Sequence, residues 1–213
     1  MVNAKASGLL PSAIEYAVHC VSHVTQASLP RRTPCTEWNL AELLCHVNDS
    51  LAILYEGVAW GFVAGGPMAE PDDFSVDALV RTFNDRARRF LAAATPPSGD
   101  EYGVAVADRV LPRDILVAVG VVEVAVHGWD VAFSCDVLEP IPAGLASGIM
   151  ELAPDLLTAE SRNGDFGPPV QVSPLAAPGD QLLAFLGRRS ATFDRPTDQG
   201  PGRHWPAGGL EGI

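Results

Sequence analysis

The sequence predicts an all-α protein, an antiparallel four-helix bundle with a short C-terminal extension of minor strand and helix content. Three observations carry that expectation. Four long segments repeat apolar residues at helical spacing. Each is bounded by capping residues, proline or glycine. Of the 213 residues, 47% are hydrophobic and 19% charged, which suits a buried core and argues against disorder. Amphipathic helices joined in sequence bury their stripes most simply against one another.

The first helix is expected from about Ser12 to Gln26. Ile14, Ala17, Val18, Val21 and Val24 form its stripe and Ser12 can cap its start. Pro30 and Pro34 then mark a loop. The second helix is expected from about Asn39, a good N-cap, to Val63. Leu40, Leu43, Leu44, Val47, Leu51, Leu54, Tyr55 and Val58 line one face, and Gly65, Gly66 and Pro67 stop it. The third runs from about Ser75 to Ala94, with Val76, Leu79, Val80, Phe83, Ala87, Phe90, Leu91 and Ala94 on its stripe and Pro96 and Pro97 beyond. Tyr102 to Leu111 holds a short extended piece. The fourth helix, from about Arg113 to Cys135, is apolar nearly all round, as a helix buried on most sides must be.

A weaker helix, interrupted by Pro154, covers Ala143 to Ala159. A short alternation at Val170 and Val172 and a helix around Gly179 to Leu186 follow. The division this implies is a bundle over residues 1–165 and an extension over 166–213 that packs on it. From Arg195 onward Pro, Gly and Asp dominate, the composition of a mobile tail.

Charge narrows the function classes. Lys and Arg number 14 against 26 Asp and Glu, a net charge of −12 at pH 7. Nucleic acid and anionic membrane surfaces both demand clustered cations, so neither is an expected partner. The longest apolar run, Ile115 to Val126, is interrupted by Glu123 and falls short of a membrane span. Met1 to Leu10 has no signal-peptide pattern. The four cysteines, Cys20, Cys35, Cys45 and Cys135, form no C-x-x-C pair and are expected to be reduced thiols in the cytoplasm.

The fourth helix carries the sharpest anomaly. Glu123 and His127 are at i, i+4 and share a face, with Asp130 and Ser134 continuing a polar stripe down an otherwise apolar helix. A buried carboxylate costs several kcal/mol (roughly) unless it is paired. No cation lies on this helix beyond Arg113. A bound metal answers that demand; so does a hydrogen-bonded carboxylate beside a satisfied core histidine, and two residues leave both readings open. A third ligand has to come from another helix. His19 and His23, also at i, i+4, fall opposite the first helix's stripe and read as solvent-facing. His204 lies in the tail. His46 lies at the flank of the second stripe, a position that suits a ligand at the bundle's mouth or a surface histidine beside Glu42. Asp49 and Ser50 follow one turn on, as mouth-lining or solvated groups. Cys45 points about 100° away from His46 and is set aside as ligand or nucleophile. Asp130 is either an acceptor that orients His127 or a local backbone cap. Trp38 and Trp129 read as packing anchors.

Two stretches resemble the motifs of a known family. Thr33-Pro34-Cys35-Thr36-Glu37-Trp38-Asn39 with Leu43-Leu44-Cys45-His46-Val47, and Glu123 through His127-Gly128-Trp129-Asp130-Val131-Ala132, resemble the second-helix and fourth-helix motifs of DinB/YfiT-like metal-binding proteins. More narrowly, they resemble the mycothiol-dependent maleylpyruvate isomerase N-terminal-domain family. The ending from Val172-Ser173-Pro174-Leu175 through Leu182 to Arg188 is similar to that family's single-domain members. The resemblance implies a DinB-like bundle holding one divalent metal through His46, Glu123 and His127. It leaves His19 and His23 outside the site. A His/Glu/His set favours zinc, with nickel, iron or manganese as other occupants. The resemblance further implies mycothiol as cosubstrate and a small electrophilic substrate, hence a thiol transferase or isomerase. The expected assembly is a monomer or homodimer. The same centre would also serve a metal-dependent hydrolase or cyclase/lyase, or a non-catalytic metal- or ligand-binding bundle. The isomerase itself carries a second C-terminal domain, whereas about 45 residues follow Phe166 here, so maleylpyruvate is not the expected substrate.

Overall fold

The computed structural model describes residues 2–35, 38–63, 75–95, 103–156 and 166–189. Its core is a four-helix bundle of α1 (Val2–Val21), α2 (Leu40–Trp60), α3 (Val76–Ala94) and α4 (Arg113–Ser134). Two further helices follow, α5 (Ala143–Leu156) and α6 (Pro178–Phe185). Three short strands, β1 (Phe62–Val63), β2 (Gly103–Val106) and β3 (Arg109–Pro112), form one small sheet in that order.

α1 starts ten residues before the expected Ser12 and carries Pro11 within it. An internal proline costs about 3 kcal/mol in an isolated helix. Here the stripe runs straight through it: Ala6, Leu10, Ala13, Ile14 and Ala17 are all buried. Tertiary burial of that stripe offsets the local penalty. α1 also ends early, at Val21; Ser22 to Ser28 are turns in which the Ser28 hydroxyl accepts from the Thr25 N–H.

α2 opens with a capping box. The Asn39 side chain accepts from the Glu42 N–H while the Glu42 carboxylate accepts from the Asn39 N–H. It closes at Gly61, whose φ of 76° is left-handed. The expected continuation to Val63 fails because Phe62 and Val63 leave the helix to pair in parallel with Ala105 and Val106 of β2. Where an extended piece was expected, the described residues 103–112 form a hairpin: β2 and β3 pair antiparallel around Ala107 and Asp108.

α4 is the bundle's axis of burial. It packs on both α1 and α2, while α3 packs on α2 and α1, so α1 and α2 lie diagonally across the bundle, as do α3 and α4. The chain after α1 therefore crosses the bundle end before α2 begins. α4 is the one helix among the described residues long and apolar enough to cross a membrane, and 83% of its apolar window is buried inside the bundle, so packing accounts for that composition. α4 approaches α1 closely at Gly128, where a Cβ would come within 3.1 Å of the Ala17 Cα.

Beyond the bundle, α5 ends at Leu156, and its expected last turn lies outside the described residues. The stretch 166–173 forms no strand; its Val170 N–H donates to the Ala184 carbonyl, so it lies along α6. α6 falls where a helix was expected, packs on α5 and ends in a Schellman turn. The Gly187 N–H donates to Ala184 and the Arg188 N–H to Leu183, with Gly187 at φ 79°. Gly187 passes so near Gly167 that a Cβ would come within 2.6 Å of its backbone. The tail from Arg195, with His204, lies outside the described residues.

Candidate metal centre

α2 and α4 bring His46, Glu123 and His127 together. His46 Nε2 lies 3.1 Å from Glu123 Oε1, and His127 Nε2 lies 3.7 Å from Glu123 Oε2. The two imidazole rings meet edge-on with centroids 5.4 Å apart. One donor atom from each residue falls within 4.8 Å of the other two. A tetrahedral zinc with bonds near 2.0–2.1 Å keeps its donors roughly 3.3 Å apart, so the observed spacings straddle the requirement.

Electrostatics points the same way. Glu123 Oε1 is buried and accepts no hydrogen bond, despite the nearby His46 nitrogen. Burial alone would raise the Glu123 carboxyl, but the His127 and His46 imidazoles and the Ser50 hydroxyl outweigh it and hold it at about 2. Burial likewise works against a charged His127, yet Glu123 and Asp130 on either side lift that imidazole to about 10. The pocket thus draws positive charge to Glu123: without a metal the His127 imidazolium supplies it, and a divalent cation would take the place of that ring's Nε2 proton, with the carboxylate as its anionic donor.

The supporting residues explain how the donors are aimed. Asp130 Oδ2 accepts from His127 Nδ1–H at 2.9 Å, which turns His127 Nε2 toward Glu123. Asp130 is fully buried, and Arg188 grips it as a fork, with Nε 2.9 Å from Oδ1 and a terminal nitrogen 2.8 Å from Oδ2. Burial would push the Asp130 carboxyl up, but the Arg188 guanidinium and the His127 hydrogen bond take it far below the usual range. The Schellman turn at Gly187 delivers Arg188, and the Phe166 ring lies 5.6 Å from the guanidinium carbon. On the other ligand, the Trp38 indole stacks against the His46 ring at 4.3 Å between centroids. Trp38 thus orients a candidate ligand rather than only anchoring the core, whereas Trp129 is buried against Phe133 as a packing residue.

A second grouping shares His127 through its other nitrogen: Cys35 Sγ lies 3.9 Å from Nδ1 and 3.6 Å from Asp130 Oδ2. It is closed to a cation, because the Arg188 guanidinium already contacts Asp130 and lies 3.6 Å from the sulfur. The remaining expected neighbours have other tasks. Asp49 pairs with Arg86 at 3.2 Å. Cys45 belongs to none of these groupings, and burial with the nearby Asp49 raises its thiol above the ordinary value.

The model of the mycothiol maleylpyruvate isomerase N-terminal domain matches residues 10–132. The chain belongs to this family. Among curated proteins none matches. The fold is similar to that of a crystal structure of the mycothiol-dependent maleylpyruvate isomerase, with 17–18% identity over 70% of this chain and 67% of that one. The TM-score is 0.51 for that structure and 0.52 for a crystal structure of a histidine-to-alanine mutant of the same enzyme. At that identity the likeness speaks for the bundle. The family-matched segment contains His46, Glu123, His127 and Asp130, but Arg188 lies beyond it.

Arg188 and Cys35 were not among the residues singled out from sequence. Neither carries a spacing signal: Arg188 is 58 positions from Asp130, and Cys35 is 92 from His127. The His19/His23 pair was expected to face solvent. The structure brings Glu139, from the connection after α4, against both rings.

Proposed function

We propose that this family member is a divalent-metal-dependent thiol transferase or isomerase, with zinc at His46, Glu123 and His127 and mycothiol as the thiol, acting on a small electrophile in the cytoplasm. The observation that carries the reading is the buried Glu123 carboxylate, one oxygen of which accepts no hydrogen bond, between two imidazole nitrogens. When bound, the metal supplies a lowered thiol pKa, so that a coordinated sulfur is nucleophilic near neutral pH.

The protein's own residues do the rest. Glu123 supplies the negative charge that retains a cation. Asp130, itself held by Arg188, fixes the His127 ring and leaves Nε2 directed at the centre. Trp38 fixes the His46 ring from the other side. His46 keeps 36% of its side chain exposed, against 10% for His127, so a small molecule reaches the centre from the His46 side. Three protein donors would leave a coordination position open on a four-coordinate metal, as catalytic rather than structural sites do. In the reaction the thiol proton leaves sulfur, a sulfur–carbon bond forms at the electrophilic carbon, and a proton is added at the neighbouring carbon. Release of that adduct is transfer. Later cleavage of the same bond returns the thiol and leaves an isomerised substrate.

The test is substrate consumption by the full chain, with and without zinc and with and without mycothiol, over a panel of electrophiles that includes maleylpyruvate. Turnover that needs both, and is lost in Glu123→Gln, is the expected result. Zinc-dependent turnover without any thiol moves the chain to the hydrolase or lyase reading. Zinc binding that survives Glu123→Gln unchanged removes the basis for the centre.

A further inference from the structure

The last turn of α1 and the connection from α4 to α5 meet at a cluster that the proposed reaction does not use. His19 and His23 present their Nε2 atoms to one oxygen of Glu139, at 3.0 and 3.5 Å. The two rings stand edge-on with centroids 5.0 Å apart. His19 makes the hydrogen bond to that oxygen. His23 Nε2 is shielded from solvent and makes none, although the same oxygen is its near neighbour. One donor from each residue lies within 4.8 Å of the other two, as in the His46–Glu123–His127 set.

The placement of Glu139 is not left to a free loop. The Tyr16 hydroxyl, one turn before His19 on α1, donates to the Glu139 carbonyl at 2.7 Å. A backbone anchor therefore holds the carboxylate over the histidine pair. The donors are two imidazoles and one carboxylate with partial solvent access, since His19, His23 and Glu139 side chains keep 56%, 29% and 28% of their surface. Imidazole and carboxylate nitrogen and oxygen donors suit zinc, copper or nickel better than magnesium or calcium. No residue is shared with the first centre. By helical rise, the end of α4 at Ser134 lies about 10 Å along the axis from His127, and Glu139 follows after it.

We propose that His19, His23 and Glu139 form a second transition-metal site, with zinc as its ligand class, that ties the end of α1 to the α4–α5 connection. Because α1 packs on α4 at Ala17 and Gly128, the tie fastens the helix that backs the His127 segment. Water completes the coordination from the exposed side.

The experiment is a zinc titration of the untagged, metal-stripped full chain by calorimetry, with elemental analysis after dialysis. Wild type is expected to take two equivalents, His19→Ala/His23→Ala one, and Glu123→Gln one. Glu139→Gln keeps a hydrogen-bonding side chain but loses the charge, and is expected to weaken the second equivalent at least tenfold. Zinc should raise the Tm of Glu123→Gln, and adding His23→Ala should abolish that rise. If His19→Ala/His23→Ala leaves both stoichiometry and Tm response unchanged, the site does not exist. If Glu139→Gln has no effect, the histidines act as an ordinary surface pair and the three-ligand site is overturned. These outcomes are independent of the first centre: its failure would show as one equivalent in wild type that Glu123→Gln does not remove.

Discussion

Removing the Arg188 guanidinium should expose how much the bundle depends on a segment outside the family-matched region. Asp130 is fully buried, and both its oxygens accept from Arg188, which keeps only 6% of its side chain exposed. Solvent screening is therefore slight. Arg188→Met preserves much of the aliphatic stem and leaves a buried carboxylate whose remaining charged partner is His127. Breaking one side of a buried pair costs about 3–5 kcal/mol, because the survivor's desolvation is no longer compensated. With a urea m-value of about 2 kcal/mol per molar, the unfolding midpoint should fall by about 1.5–2.5 M. Equilibrium urea unfolding of the metal-free chain measures this without interference from metal binding. The double variant Asp130→Asn/Arg188→Met removes both charges and should recover at least about 1 kcal/mol relative to the sum of the two single losses. A midpoint shift below about 0.5 M for Arg188→Met, or strict additivity in the cycle, would refute the claim that this pair anchors the extension to α4.

Four further outcomes follow from the same geometry. The Asp130 carboxyl titrates below its unfolded value of about 3.9, so on acidification the unfolded chain takes up that proton first. The stability difference between wild type and Asp130→Asn should then be constant from pH 7 to about 5 and shrink below about pH 4, as urea unfolding at each pH would show. Asp130→Asn should also weaken zinc binding about 10–100-fold through loss of the His127 support, read by chelator competition. Gly187→Ala meets a left-handed φ of 79° and a Gly167 backbone 2.6 Å from the new Cβ; the conformational cost alone is about 1–2 kcal/mol, so urea unfolding should show a loss of at least about 2 kcal/mol. Trp38→Ala removes a ring contact of about 0.5–1.5 kcal/mol from His46, and zinc affinity should fall about 2–10-fold; an unchanged affinity would show that Trp38 does not orient the ligand.

What could be read from the sequence was whatever a helix fixes locally. Glu123 and His127 share a face because 3.6 residues make a turn, and no distant contact is needed to know it. The extent of α4 and α3 was legible for the same reason: caps and prolines lie at their ends. The start of α1 departs from the expected Ser12 because the helix runs on through Pro11, whose local penalty is outweighed by burial of Ala6 and Leu10 against the rest of the bundle. β1 escaped notice because two residues become a strand only by pairing with Ala105 and Val106, more than forty positions later. Arg188 escaped for a related reason. Gly187 signals a helix end, but nothing local states which buried carboxylate the next side chain will meet.

His127 joins these two kinds of information in one ring. Its Nε2 side faces Glu123, four residues back on the same helix, and its Nδ1 side faces Asp130, three residues on. Both relations are helical and both lie within the family-matched segment. Yet two buried carboxylates flank one imidazole, and His127, held charged between them, balances only one of the two from within this part of α4. Arg188 answers the Asp130 half of that pair from the C-terminal segment, through a fork that fills both oxygens. The Glu123 half keeps, on the side toward His46, an oxygen that accepts no hydrogen bond. That division of partners gives the two carboxylates different work: one is neutralised by protein and orients the ring, and the other is left with charge to offer a metal ion. Exchanging the guanidinium between them would close the candidate centre, so the position of Arg188 decides which face of His127 stays available.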